Sequence, residues 1–235
     1  MRRALTAFAV MATLSAPAIA GTDIAFAPGM TQSQFQQFSE DLGAALSYRD
    51  PTPGSPLGQN ALSVHVGTSE TRLDPQAARA GTDSKARLSL TTLSLNKGLP
   101  LGIDIGGSYT AVPNSNIRLL GVESSYALFR GSQQWPAVTL RATYSHLAGV
   151  PELDFSTAGL ELTVSRRVGH LTPYAGFGRL HVASSPHVPG LLGSRFWETK
   201  AFAGVALQLG TISLGIEADR IGGITSAAAS LGFDF

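Results

Sequence analysis

Gly223-Ile224-Thr225-Ser226-Ala227-Ala228-Ala229-Ser230-Leu231-Gly232-Phe233-Asp234-Phe235 closes the chain, and its reading decides the fold. Every second residue back from the end gives Phe235, Phe233, Leu231, Ala229, Ala227 and Thr225. The interleaved set is Asp234, Gly232, Ser230, Ala228, Ser226 and Ile224. One face is apolar and the other small or polar with a period of two, which is the signature of a strand. Chain ends usually fray into polar residues, so a terminal aromatic on the strand itself is unusual.

Working back from this stretch, the same alternation recurs. It predicts strands over 61–70, 87–96, 101–112, 117–130, 136–147, 153–168, 171–183, 196–209 and 211–221, ten with the last. In 136–147, Val138, Leu140, Ala142 and Tyr144 oppose Thr139, Arg141, Thr143 and Ser145. In 171–183 the apolar set reads Tyr174, Gly176, Gly178, Leu180 and Val182, against Phe177, Arg179 and His181. In 87–96 the apolar phase slips between Leu90 and Leu93, which predicts a bulge.

The start of the chain differs. Residues 1–20 read as a secretory signal peptide: Arg2 and Arg3, an apolar run, then Ala18-Ile19-Ala20 as the cleavage site. Its removal leaves 15 basic residues against 16 acidic, a near-neutral chain with no basic stripe for nucleic acid. Residues 21–60 are read as an N-terminal periplasmic segment. Phe35, Phe38 and Leu42 at helical spacing, with Thr31 or Ser33 as N-cap, predict an amphipathic helix over 31–42. That helix is read as a plug, as a foot on the inner membrane surface, or as packing on the rim. Residues 43–49 read as extended and 50–60 as a turn-rich linker. The barrel proper is 61–235.

No stretch of 18 apolar residues follows the signal, so no transmembrane helix is expected, which leaves membrane strands open. The fold class expected is an all-β transmembrane antiparallel up-and-down barrel. Connection lengths agree: with the last strand ending in the periplasm, the periplasmic turns are short and the external loops 71–86 and 184–195 are long. Lipid-facing charges are disfavoured by ~2–4 kcal/mol near the midplane, so the charged set is assigned to the lumen. It comprises His65, Asp104, Glu123, Arg141, Glu161, Arg179, Glu198, Lys200, Glu217 and Asp219. Tyr126, Tyr144, Tyr174 and Trp197 are assigned to interfacial girdles. The lumenal charges are read either as a salt-bridged core or as the lining of a narrow pore.

The closing strand resembles that of Gram-negative outer-membrane barrels, in which Phe235, Phe233 and Leu231 form the signal read by the barrel-assembly machinery. Lys97-Gly98-Leu99-Pro100-Leu101-Gly102-Ile103-Asp104, Val112-Pro113-Asn114-Ser115-Asn116-Ile117-Arg118, Leu171-Thr172-Pro173-Tyr174-Ala175-Gly176 and Glu217-Ala218-Asp219-Arg220 resemble a family of uncharacterised proteobacterial outer-membrane barrel proteins. The resemblance implies outer-membrane location and carries no substrate or catalytic residues; a monomer in contact with outer-membrane lipid and lipopolysaccharide is expected. The leading reading is a non-enzymatic barrel, structural or passing small solutes. External-loop adhesion is the alternative and an outer-membrane hydrolase the third. Ser145 and His146 are adjacent and so point to opposite faces, which counts against a catalytic dyad. No cofactor or metal site is expected, the chain having no cysteine and no HxxxH spacing.

Overall fold

The computed structural model describes residues 23–82, 87–112, 114–132 and 135–235; the signal-peptide expectation for 1–20 lies outside them. Among the described residues ten antiparallel strands close into a barrel, each pairing with its sequence neighbours and the first with the last. They are β1 Leu62–Arg72, β2 Arg87–Gly98, β3 Ile103–Ala111, β4 Arg118–Phe129, β5 Ala137–Ala148, β6 Leu153–Ser165, β7 Leu171–Pro186, β8 Ser194–Leu209, β9 Ile212–Ile221 and β10 Ile224–Asp234. Closure removes every unpaired strand edge. The seam is set by Val64↔Phe233 and Val66↔Leu231, so the alternation of the closing strand fixes the register of the first. The mouth where β1 begins and β10 ends is called the near mouth, the opposite one the far mouth.

Outward positions form a continuous apolar belt: Val66, Leu93, Leu95, Leu120, Val122, Leu160 and Ile216 are each more than half exposed. A patch of this extent is not tolerated on a soluble monomer and matches a hydrocarbon surround. Aromatics bracket the belt, with Tyr109, Tyr144 and Trp197 towards the far mouth and Tyr126, Phe129 and Trp135 towards the near one.

Among the described residues two α-helices complete the fold, α1 Gln32–Ala45 and α2 Pro75–Gly81, the latter in the β1–β2 loop, with one 3-10 turn at Pro100–Gly102. Thr31 and Gln34 form a reciprocal capping box at the start of α1, Gln34 N–H to Thr31 Oγ1 at 3.3 Å and Thr31 N–H to Gln34 Oε1 at 2.9 Å. The helix runs three residues beyond the predicted 42, so 43–45 are helical, not extended.

α1 does not lie at the near mouth, where the chain enters β1. It sits inside the far mouth, capped by α2 and by a bridge between Ile24 and Thr82. Its stripe of Phe35, Phe38 and Leu42, fully buried, meets inward-facing Leu88, Phe155, Leu180 and Ile221. Gly43 lets the helix touch the wall; a Cβ there would lie 2.8 Å from Val182 Cγ2.

This apolar interior explains two further departures. In β7 the apolar set points inward: Tyr174, Leu180 and Val182 are buried, while Phe177 and Arg179 are exposed outside. Tyr174 therefore belongs to no girdle; it packs on Phe202 within the lumen, ring centroids 6.5 Å apart. In β2 no bulge occurs. Pairing with β1 runs unbroken from Leu62↔Lys97 to Arg72↔Arg87, with Leu88 and Leu90 facing α1 inside and Leu93 and Leu95 facing out. The register shift lies instead in β4, between Ala127 and Phe129.

Candidate functional site: a lumen threaded by its own chain

From the end of α1 the chain turns into the barrel and runs to the near mouth. Twelve residues can reach ~40 Å when fully extended, so 46–57 span a hydrophobic band ~25 Å tall with slack for the tight turn at Asp50–Thr52 and the positive φ of Gly54. The thread touches the wall all round. Leu46 O accepts from Ser145 Oγ on β5 at 2.8 Å, and Tyr48 lies against Gly121 on β4. Pro51 passes Gly215 on β9, and Gly54 O accepts from Thr139 Oγ1 on β5. Ser55 and Ser165 hydroxyls are 3.2 Å apart, and Leu57 N–H reaches Asp104 at 3.2 Å. Backbone polar groups in a buried segment need partners, and the inward Ser, Thr and Asp residues of the strands supply them.

Three charged clusters hold the thread. Arg49 makes a side-on pair with Asp219, Nε to Oδ2 at 2.6 Å and Nη2 to Oδ1 at 3.1 Å. The same guanidinium donates to the carbonyls of Ala44 and Ala45, at 2.5 and 2.9 Å, and so caps the C-terminus of α1. Asp50 accepts from Asn96 Nδ2 at 2.6 Å and stands 3.1 Å from His65 Nδ1.

The third cluster lies in the wall. Glu161 takes Arg141 Nη2 and Lys200 Nζ, each at 2.7 Å, and Arg141 Nη1 stands 3.8 Å from Glu123. Both cations lean on the Phe202 ring, 5.7 and 5.4 Å from its centroid, and also reach the thread: Arg141 to Asp50 O and Lys200 to Tyr48 O, both at 3.4 Å. Buried ions of this kind are tolerated only when paired; removing one partner typically destabilises by ~3–5 kcal/mol.

Ser63, His65 and Asp50 fall in line, with Ser63 Oγ 2.7 Å from His65 Nε2. The geometry is that of an activated serine, but the surroundings are not. Ser63 donates its proton to Asp234 Oδ1 at 2.6 Å and is fully buried, so the trio ties β1, β10 and the thread together. Beside it, walled on one side by thread residues Pro51–Leu57, lies a cavity of about 270 Å³ into whose lining His65, Asp104, Glu123, Arg141 and Asp234 project.

Of the ten charged residues singled out in the sequence, His65, Asp104, Glu123, Arg141, Glu161, Lys200, Glu217 and Asp219 project inward and are buried. Glu198 also faces inward, half-buried near Gly222 at the far end. Arg179 does not join them; it lies on the outer surface for the reason given for β7. Leu231 faces out, Phe233 is half-buried and Phe235 is exposed at the near mouth. Sequence reasoning missed Tyr48, Arg49 and Asp50. The available signal was the Arg-Asp pair between the amphipathic helix and the Pro/Gly-rich linker.

In α1, Asp41 accepts the Asp74 N–H at 2.6 Å and joins the two helices. Burial pushes its carboxyl up to about 6 despite that bond and one from Gln37.

No protein-family model matches the chain, and no curated protein matches it in sequence. Among solved structures it is similar to the COG4313 outer membrane channel from Pseudomonas putida F1, at 10% identity and a TM-score of 0.52, covering 80% of this chain and 100% of that one. A looser likeness is to the KdgM porin, at 6% identity and a TM-score of 0.40, covering 74% of this chain and 99% of that one. OprG from Pseudomonas aeruginosa stands at 9% and 0.36, covering 77% and 99%. The likeness to the channel is one of fold, and it is at the level of fold that the barrel resemblance read from the sequence is carried.

Proposed function

We propose that the protein is a non-enzymatic outer-membrane barrel with a narrow passage for small solutes, closed in this state by its own residues 46–57. The near mouth is then periplasmic and the far mouth external. The observation that carries the reading is the buried Arg49–Asp219 pair, which fastens a non-strand segment to the inside of the wall. Side chains alone fill a barrel of about eight strands, and ten leave a slim passage along the axis, which the thread and its charged residues occupy here. Buried around the thread are six acids, Asp50, Asp104, Glu123, Glu161, Glu217 and Asp219, against Arg49, Arg141, Lys200 and His65. A passage opened by moving the thread therefore favours cations. Adhesion is disfavoured, because the longest external loop folds as α2 over α1 and presents no aromatic anchor.

The test is planar-bilayer recording of the refolded protein. Wild type is expected to be closed with rare small openings, and Arg49→Ala to open more often with cation preference. Silence from both proteins, with the barrel shown to be folded, would contradict the proposal.

A further inference from the structure

The outward placement of Arg179 raises a question the lumen does not answer: what a guanidinium does on a lipid-facing wall. Arg179 stands eight residues along β7 from Leu171, which is ~20 Å up the axis at ~3.3 Å per residue and ~40° tilt. That places it towards the far edge of the apolar belt, beside Leu160 on β6 and two residues below the level of the girdle residue Trp197. A cation strongly disfavoured at the bilayer centre is tolerated at this depth, where headgroups begin.

Its neighbours share the chemistry. By register Arg179 lies opposite Thr199, and His181 opposite Trp197, their rings 5.0 Å apart at 56°. Arg195 lies opposite Ala183 and Arg220 opposite Ala201, both outward and exposed. No outward position of β7, β8 or β9 carries an acid. Glu198, on the inward face of β8, lies close enough to feel the Arg179 charge, and Asp154 on β6 is already paired with His187 at 3.1 Å. Among the described residues Arg179 and Arg195 make no hydrogen bond or ion pair.

We propose that Arg179 and Arg195, on either side of the His181–Trp197 ring pair, dock the phosphorylated sugar headgroup of an outer-leaflet glycolipid. Guanidinium forks match phosphate oxygens, and flat rings between them match a sugar face. The site is continuous with the acyl-facing belt through Phe177 and Leu160, so the ligand is a lipid with its chains on the wall. The proposal rests on the membrane orientation proposed above.

The test uses the full chain in phosphatidylcholine nanodiscs doped with bisphosphorylated lipid A or its dephosphorylated form, with retained lipid counted by native mass spectrometry. Retention of the bisphosphorylated lipid is expected to fall about five-fold per arginine in Arg179→Gln and Arg195→Gln. Arg179→Lys keeps most of it. Arg166→Gln with Arg167→Gln, at the other mouth, leaves it unchanged. Heat-modifiable gel mobility reports that each variant is folded. Equal retention of the dephosphorylated lipid, equal loss in the near-mouth variant, or displacement by excess inorganic phosphate alone would overturn this inference and leave the membrane orientation standing. Failure of wild type to enter nanodiscs would overturn both.

Discussion

Arg49, on the thread, and Asp219, on β9, meet side-on with both side chains almost fully buried, 4% and 0% exposed. The contact joins three things at once: the end of α1, the axis of the barrel and its wall. Asp219→Ala leaves Arg49 buried without its carboxylate, so a loss of ~3–5 kcal/mol is expected. Arg49→Met leaves Asp219 unpaired in turn. A carboxylate can take up a proton where a guanidinium cannot lose one, so this variant is expected to lose less than Asp219→Ala. Urea titrations followed by heat-modifiable mobility check the order; equal, small losses would mean the thread is not held by this pair.

Glu161 is the common partner of Arg141 and Lys200. Glu161→Gln is expected to destabilise by ~3–5 kcal/mol, because two buried cations lose their counter-charge together. The exposed pair Arg87–Glu70 at the far rim provides the contrast: Arg87→Ala should change stability by less than ~1 kcal/mol. The same titration reads both.

Gly43 tests the docking of α1. Alanine favours a helix by ~0.5–1 kcal/mol, yet its Cβ would meet Val182 Cγ2 at 2.8 Å, and overpacking typically destabilises by ~1–3 kcal/mol. The clash is expected to win. Limited proteolysis within 23–45 should speed up in Gly43→Ala and return to wild type in the double variant with Val182→Ala.

These sites show what the sequence could and could not convey. Strand number and the inward set of β5, β6 and β9 were legible, because there the belt is apolar and the lumen charged. β7 misled because Leu180 and Val182 are apolar for a different partner, α1 rather than lipid. A period of two identifies two faces and says nothing about which is inside when both environments are greasy. The thread was illegible because residues 46–57 have no period at all; their structure is dictated by the wall, through bonds such as Ser145 to Leu46 and Thr139 to Gly54.

Asp41 predicts a pH response of the far-mouth cap. Its folded-state value, about 6, lies above the ordinary 3.8, so the docked helix holds the proton more tightly than the undocked chain. The contribution to docking is therefore full below the ordinary value and is lost as pH rises through 6. Glu40 and Asp74 push in the same direction. Amide-exchange protection of α1, corrected for intrinsic rates, should be greater at pH 5 than at pH 7.5. Asp41→Asn should abolish that difference.

The central claim is that residues 46–57 run inside the barrel, and cross-linking tests it most directly. The chain has no cysteine, so an engineered pair reports without background. Ser55→Cys with Ser165→Cys, whose native hydroxyls are 3.2 Å apart, should form a disulfide in the folded protein under mild oxidation, as should Ser39→Cys with Ser184→Cys, at 2.9 Å. Quantitative cross-linking of both pairs is the expected result. A folded barrel in which the thiol introduced by Ser55→Cys stays reduced and reacts freely with a bulky thiol reagent would contradict the threaded lumen.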